Sequence, residues 1–376
     1  VKITYNIYMK LIFNTSELIN KVKNIAPTAE AKQTLVILGN MVFRIRNGVA
    51  NILASDLEIE VSTELKCESE IDCEFTIPAR KLLEVLNALS DHKQITINVS
   101  DSKADITAGK SKISLPTLPI DDYPSTSFDI ETQQYKIDED DLIRIINKTS
   151  FAMAYQDARH FLNGLYLCSD EGKLVSVCTD GHRLAKYTSM TEASSDISLI
   201  IPRKAILEIN RILQSFTGDS GVLVEYSYNK ANFCLNINDY KLSTKLIEGN
   251  YPNFNKVIPA STESEIIVDK KLFKNSLNII SKVVNQQYKG VKLTPQAHTM
   301  HLISSNTDSE VGEDRIDVEY TGSEMSIGFN ISYLQDVIDV IDGETVHICI
   351  NDQNSGCVVK GSDDTNSLFV IMPMRV

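Results

Sequence analysis

Lys10-Leu-Ile-Phe-Asn-Thr-Ser-Glu-Leu18, Tyr135-Lys-Ile-Asp-Glu-Asp-Asp-Leu142 and Glu265-Ile-Ile-Val-Asp-Lys-Lys-Leu272 share one local plan: a short apolar strand, a polar joint, then a helix. The joints carry Asn, Asp, Ser or Thr, whose side-chain oxygens satisfy the orphan amide donors of a helix start. A second strand-to-helix step follows midway through each copy: Phe75-Thr-Ile-Pro-Ala-Arg-Lys-Leu-Leu83, Leu199-Ile-Ile-Pro-Arg-Lys-Ala-Ile-Leu207 and Ser326-Ile-Gly-Phe-Asn-Ile-Ser-Tyr-Leu334. Two of these place proline near the helix start, where its missing N–H costs nothing. The first two copies also close alike, Lys112-Ile-Ser leading to Tyr123-Pro124 and Lys241-Leu-Ser leading to Tyr251-Pro252. Recurrence of the same order predicts three repeated domains, 9–132, 133–262 and 263–376, with residues 1–8 as an N-terminal extension.

Helical period supports two helices per copy. Leu18, Val22 and Ile25, then Leu82, Leu83, Leu86 and Leu89, put apolar residues on one face. Leu142 with Ile146, Ile209 with Leu213, Phe273 with Leu277, Ile280 and Val284, and Leu334 with Val337, Ile338 and Ile341 do the same. The expected helices cover 15–25, 79–91, 138–149, 202–215, 269–285 and 331–342. Alternating stretches between them, at 49–54, 94–99, 221–226 and 345–350, read as half-buried antiparallel strands. The fold class is α+β: three repeats, each with two helices plus antiparallel sheets.

A chain of 376 residues is long enough for two or three cores, and 43% hydrophobic content is ordinary for a globular protein. No apolar run approaches the roughly 18 residues of a membrane span, and the N-terminus lacks a signal-peptide pattern, so a cytoplasmic location with no membrane association is expected. Seven cysteines at irregular spacing form neither a disulfide framework nor a CxxC pair and are read as reduced, buried small hydrophobes. A zinc site from Cys168, Cys178 and His182 is the sharper alternative, but its spacing does not fit the common modules. No metal or other cofactor is expected.

The net charge of −13 argues against nucleic acid when taken as a sum. Its distribution argues otherwise. Bases and acids nearly balance within the expected helices, so the excess acid lies in strands and loops. Lys21 and Lys23, Arg80 and Lys81, Arg144 and Lys148, Arg203, Lys204 and Arg211, and Lys270, Lys271, Lys274 and Lys282 lie along helix bodies. They read either as ordinary solvated faces or as a locally positive surface on an acidic body. The last helix differs, with Asp336, Asp339 and Asp342 and no base.

Thr179-Asp-Gly-His-Arg-Leu-Ala185, Gln156-Asp-Ala-Arg-His-Phe-Leu-Asn-Gly164 and Val370-Ile-Met-Pro-Met-Arg-Val376 together resemble the bacterial DNA polymerase III beta subunit family, the replicative sliding clamps. Thr34-Leu-Val-Ile-Leu-Gly-Asn40, Ser55-Asp-Leu-Glu58, Ile77-Pro-Ala-Arg-Lys81 and Ser243-Thr-Lys-Leu-Ile-Glu-Gly-Asn-Tyr-Pro252 extend the resemblance over nearly the whole chain from Met9. It implies a head-to-tail homodimeric ring that encircles double-stranded DNA without sequence preference and acts as a processivity factor, with no catalysis of its own. Implied partners are the DNA polymerase III alpha subunit, the clamp loader and other proteins bearing clamp-binding motifs. Implied DNA-proximal residues are Lys32, Arg80, Gln156, Arg203 and Lys204.

The resemblance also implies a groove that takes an aromatic and a leucine from partner peptides. Its matching positions are Arg159, Phe161, Thr179, Gly181, His182, Arg183, Leu184, Pro252, Val257, Asn330, Tyr333, Val370, Ile371, Met372, Pro373, Met374 and Arg375. Adaptable methionines, shape-setting prolines and orienting arginines suit such a site. Phe161 stands where many relatives have tyrosine, His160 where an aromatic is common, and Lys256 where arginine is common, which implies an altered motif preference. Two alternatives stay open at this level. Asp180 with His182 could form a base and its orienter, although Asp-Gly is also a turn signal and no other catalytic motif accompanies it. A monomeric scaffold of three binding modules differs from a clamp only in ring closure.

Overall fold

The computed structural model describes residues 9–29, 35–100, 102–124, 128, 133–193, 196–216, 222–285 and 287–375. Lys32, the extension 1–8 and Val376 lie outside them. Six α-helices occur among the described residues: α1 (Thr15–Ile25), α2 (Ala79–Ala88), α3 (Glu139–Thr149), α4 (Arg203–Gln214), α5 (Lys270–Ile280) and α6 (Ile331–Val340).

Helix starts follow the chemistry of the joints. Asn14 accepts from Glu17 N at 3.2 Å, Asp269 from Leu272 N at 2.8 Å and Asn330 from Ser332 N at 2.9 Å, each bond closing an otherwise orphan donor. Pro78 occupies the cap position of α2 itself, so that helix begins without a side-chain cap. Three helix ends fall short of the periodic pattern by two residues or more, among them α6, where Ile341 turns extended after Val340. α2 stops at Ala88 because Leu89 turns out of helical geometry (φ −105°, ψ 12°). α5 stops at Ile280, where the Ser281 hydroxyl bonds back to Asn278 O at 2.7 Å and competes with continued helix.

Among the described residues all strand pairings are antiparallel and build three sheets. Each of two compact units has its own arrangement. One comprises the described residues up to Glu139 together with Lys204–Leu246. It holds a five-stranded sheet, running from Glu68–Ser69 through Met9–Asn14, Gln94–Ser100 and Lys103–Ala108 to Ser111–Pro116, and an eight-stranded sheet. In the eight-stranded sheet, Tyr240–Lys245 pairs with Ile59–Lys66 in the register Leu242↔Val61. Strands of the second repeat thereby continue a sheet of the first. Phe43 stacks on Phe75 at 5.0 Å with Phe13 edge-on, all of them buried. Each such ring contributes about 1.5–3 kcal/mol by leaving water.

The other unit comprises Asp140–Arg203 with Ile247 onward and contains one twelve-stranded sheet. Arg183–Glu192 of the second repeat pairs with Ser367–Ile371 near the chain end, Leu184 facing Val370, and so joins second to third repeat edge to edge. The middle repeat is thus shared between units, because each of its strand groups completes a neighbour's sheet.

Charged helix residues are less available than the sequence pattern implies. Lys148 is only 6% exposed and bonds Asp364 (2.5 Å), Asp342 (2.9 Å) and Val340 O (2.6 Å), so it belongs to the interior and not to a positive surface. α6 carries no base of its own, and the acids expected on it meet bases from elsewhere: Asp336 pairs with Arg183, Asp339 with Lys274 and Asp342, just past the helix end, with Lys148. Burial alone would raise the Asp141 carboxyl, but bonds from the Ser189 and Thr191 hydroxyls and from Thr191 and Met190 N–H outweigh it and hold it below the usual carboxylate range.

Candidate functional site

The turn Thr179–Arg183 is over-determined. Thr179 Oγ1 donates to Arg183 O at 2.6 Å and accepts from Gly181 N at 3.1 Å, while Asp180 Oδ1 accepts from His182 N at 2.9 Å and Arg183 N at 3.0 Å. Gly181 has φ +89°, and a Cβ there would lie 3.0 Å from the Arg159 guanidinium. Arg159 crosses that bare backbone and donates to Asp157 at 3.0 and 2.8 Å and to Asp180 O at 3.2 Å. These bonds lower the Asp157 carboxyl to about 2.

Below the turn lies a greasy floor of Leu184, Val370, Val177, Cys168 and Val358, against which Tyr166, Tyr251 and Phe254 pack. Tyr166 and Tyr251 stack at 4.4 Å, nearly parallel. Met372 N donates to His182 O at 2.8 Å, which fixes the chain end as a wall. The result is a cleft of about 300 Å³ lined by Arg159, Phe161, Leu162, Thr179, Gly181, Arg183, Leu184, Pro252, Asn253, Phe254, Val257, Val370 and Met372. Val257 and Met372 remain 50% and 39% exposed, apolar surface open to an apolar ligand.

Several expected positions do not line this cleft. Ile371 is fully buried. His182 contributes its backbone carbonyl, Asn330 caps α6, and Tyr333 lies beneath Arg183, 4.4 Å from ring centroid to guanidinium carbon. Pro373 and Arg375 flank Met374, whose N–H continues the chain past the cleft by donating to Gly328 O at 2.8 Å. Conversely, Leu162, Asn253 and Phe254 line it without having been singled out. Asn253 accepts from Asn255 N at 3.1 Å and starts a short 3-10 turn (Phe254–Val257), a cap signal legible in Tyr-Pro-Asn-Phe-Asn.

The alternative chemistries fit poorly. Asp180 spends its carboxylate on backbone N–H groups and on Arg183 Nε at 3.1 Å, which is the work of a turn and not of a histidine orienter. Cys178 is fully buried with its thiol pushed up to about 12, the wrong direction for a thiolate ligand. Among the described residues no His, Cys, Asp and Glu cluster could hold a metal ion, and no helix is long and apolar enough to cross a membrane.

The remaining candidate DNA-proximal residues belong to both units. Arg80 is exposed on the first turn of α2, while in the same unit Lys204 pairs with the buried carboxylate of Asp56. In the other unit Gln156 is exposed at φ +55°, and Arg203 donates to Met153 O at 3.1 Å and lies 6.0 Å from the exposed ring of Tyr155.

Family models of the DNA polymerase III beta subunit match in succession: the N-terminal domain at 9–127, the central domain at 136–253 and the C-terminal domain at 255–375. A beta sliding clamp from Pseudomonas aeruginosa is 32% identical over 371 residues, covering 98% of this chain and 100% of its own, and one from Haemophilus influenzae is 31% identical at the same coverage. The crystal structure of the DNA polymerase III subunit beta from Pseudomonas aeruginosa superposes with a TM-score of 0.89 at 31% identity, over 98% of this chain and 100% of that one. With its three domains matched in order and the fold shared along its length, the chain belongs to the DNA polymerase III beta subunit family, the sliding clamps.

Proposed function

We propose that two copies of the chain, each divided at 9–132, 133–262 and 263–376, close head to tail around duplex DNA and hold polymerase at the primer end. Encircled DNA cannot diffuse away, so weak and exchangeable phosphate contacts suffice, and Arg80, Gln156, Arg203 and Lys204, with Lys32, are the groups assigned to them. Tethering raises the effective concentration of polymerase and needs no chemistry from the clamp. Support for closure comes from sheet edges of opposite charge. Ser111–Pro116 ends its sheet with exposed Lys110 and with Lys112, which also meets buried Asp105 at 2.9 Å, whereas Val311–Asp317 is paired on one side only and is net acidic, exposing Glu313 and Asp317 on either side of Arg315. α5, packed on that second strand, leaves Leu272 and Ile279 exposed. An open edge invites another strand, and a heterologous contact that closes by rotation gives a ring.

The observation that carries the tethering role is the apolar cleft where the Thr179–Arg183 turn meets the chain end. We assign it to linear motifs of the polymerase alpha subunit, the clamp loader and other replication or repair proteins. Its size and shape suit one aromatic and one leucine side chain. Fluorescence titration with a labelled pentapeptide ending in Leu-Phe is expected to saturate, and Met372→Ala is expected to weaken it about tenfold or more, the loss from truncating a central apolar contact. Absence of saturable binding, or full affinity in the variant, overturns the assignment.

A further inference from the structure

We propose that Asp336 sets the charge preference of the cleft: it occupies Arg183 from within the protein and leaves Arg159 as the guanidinium that meets a ligand carboxylate. This inference rests on the reading of the cleft as a peptide site. Arg183 lines the cleft, yet its side chain is only 11% exposed and each of its three nitrogens already donates one bond within the protein. Nε donates to Asp180 at 3.1 Å, Nη2 to Phe151 O at 2.7 Å and Nη1 to Asp336. The rings of Tyr333 and Phe151 lie 4.4 and 5.2 Å from its central carbon. Two of its five N–H groups remain, on a side chain nearly closed to solvent and packed against two rings, so little is left to offer a ligand.

Arg159 is the contrasting case. Its side chain is 52% exposed, and its Nη1 donates to no described residue. The two arginines at the mouth of the cleft therefore differ in availability, and Asp336 makes the difference. Asp180 and Phe151 O would still hold Arg183 in place without it, because their bonds use Nε and Nη2. Asp336 itself is 42% exposed on a helix face, a position where alanine is well tolerated. Removing it would release Nη1 and take one negative charge away from Arg183, which keeps its pair with Asp180, while leaving the turn intact.

The test compares one acetylated pentapeptide ending in Leu-Phe as the free acid and as the C-terminal amide, titrated against the full-length protein. In the wild type, Arg159→Ala is expected to lower the acid-to-amide affinity ratio. Asp336→Ala is expected to raise that ratio at least about threefold, the scale of a partly exposed ion pair, with amide affinity unchanged. Asp336→Glu is expected to restore the wild-type ratio. Asp339→Ala, which removes the same charge from the same helix where it pairs with Lys274, controls for net charge and is expected to leave the ratio alone. An unchanged ratio in Asp336→Ala, or equal weakening of both peptides, overturns the role of Asp336. Failure of the wild type to bind either peptide overturns the cleft reading itself, and this assignment with it.

Discussion

At the scale of single residues, Gly181 shows how a backbone requirement becomes a binding feature. Its φ of +89° suits glycine, and the bare Cα lets the Arg159 guanidinium lie across the turn. Gly181→Ala is therefore expected to cost about 1–3 kcal/mol in urea unfolding from backbone strain, and also to weaken peptide binding by displacing Arg159. Wild-type stability and affinity in the variant would contradict this. The neighbouring Asp180 and His182 are a case where sequence pattern misleads. An Asp-Gly-His-Arg string is compatible with a base and its orienter, and the distinction rests on which atoms the carboxylate meets, here backbone N–H groups. Phe254 escaped notice for a similar reason, because its place in the cleft depends on a cap formed by Asn253 and not on apolar periodicity.

At the scale of elements, α6 gathers what the repeat pattern leaves unexplained. Its C-terminal carbonyls receive Lys148 from α3 and Lys270 from α5, two cations at the negative end of a helix dipole. Asp364 completes the Lys148 site. Burial alone would raise its carboxyl, but the bonds from Lys148 and Ser367 outweigh this and keep it below the usual carboxylate range. A carboxyl depressed on folding stabilises the native state above its unfolded value of about pH 4, and that contribution is lost as pH falls through the lower folded value. Asp364→Asn is expected to destabilise the protein by about 1–3 kcal/mol near pH 7, since Lys148 loses its buried carboxylate but keeps Asp342 and Val340 O, and to flatten the acid limb of the stability profile. A pH profile parallel to that of the wild type would exclude this role. The helices themselves were legible because apolar period 3.6 survives in each copy. Their ends were less so, since the stop after Ile280 depends on one hydroxyl at Ser281. The buried state of Lys148 was not legible at all, because its partners lie about two hundred positions downstream.

At the scale of the whole molecule, threefold repetition does not produce three separate bodies. Strand pairing between repeats is non-local, so no local pattern announces that Tyr240–Lys245 joins Ile59–Lys66 while Arg183–Glu192 joins Ser367–Ile371. Among the described residues, open edges lie at sheet ends such as Ser111–Pro116 and also within the twelve-stranded sheet at Val311–Asp317, and the edge charges supply a test of assembly. Glu313→Lys with Asp317→Lys is expected to shift the solution mass from dimer to monomer at micromolar concentration, and Lys110→Glu in the same chain to restore part of the dimer, Lys112 being left in place because it holds the buried carboxylate of Asp105. A chain carrying Glu313→Lys and Asp317→Lys alone that dimerises as well as the wild type would contradict edge pairing. Encirclement itself is tested most directly by retention on DNA of different topology. Once loaded onto nicked circular DNA, the protein is expected to stay bound through gel filtration and to be released when a single restriction cut linearises the circle. Equal retention on circular and linear DNA would contradict a ring that holds DNA by topology.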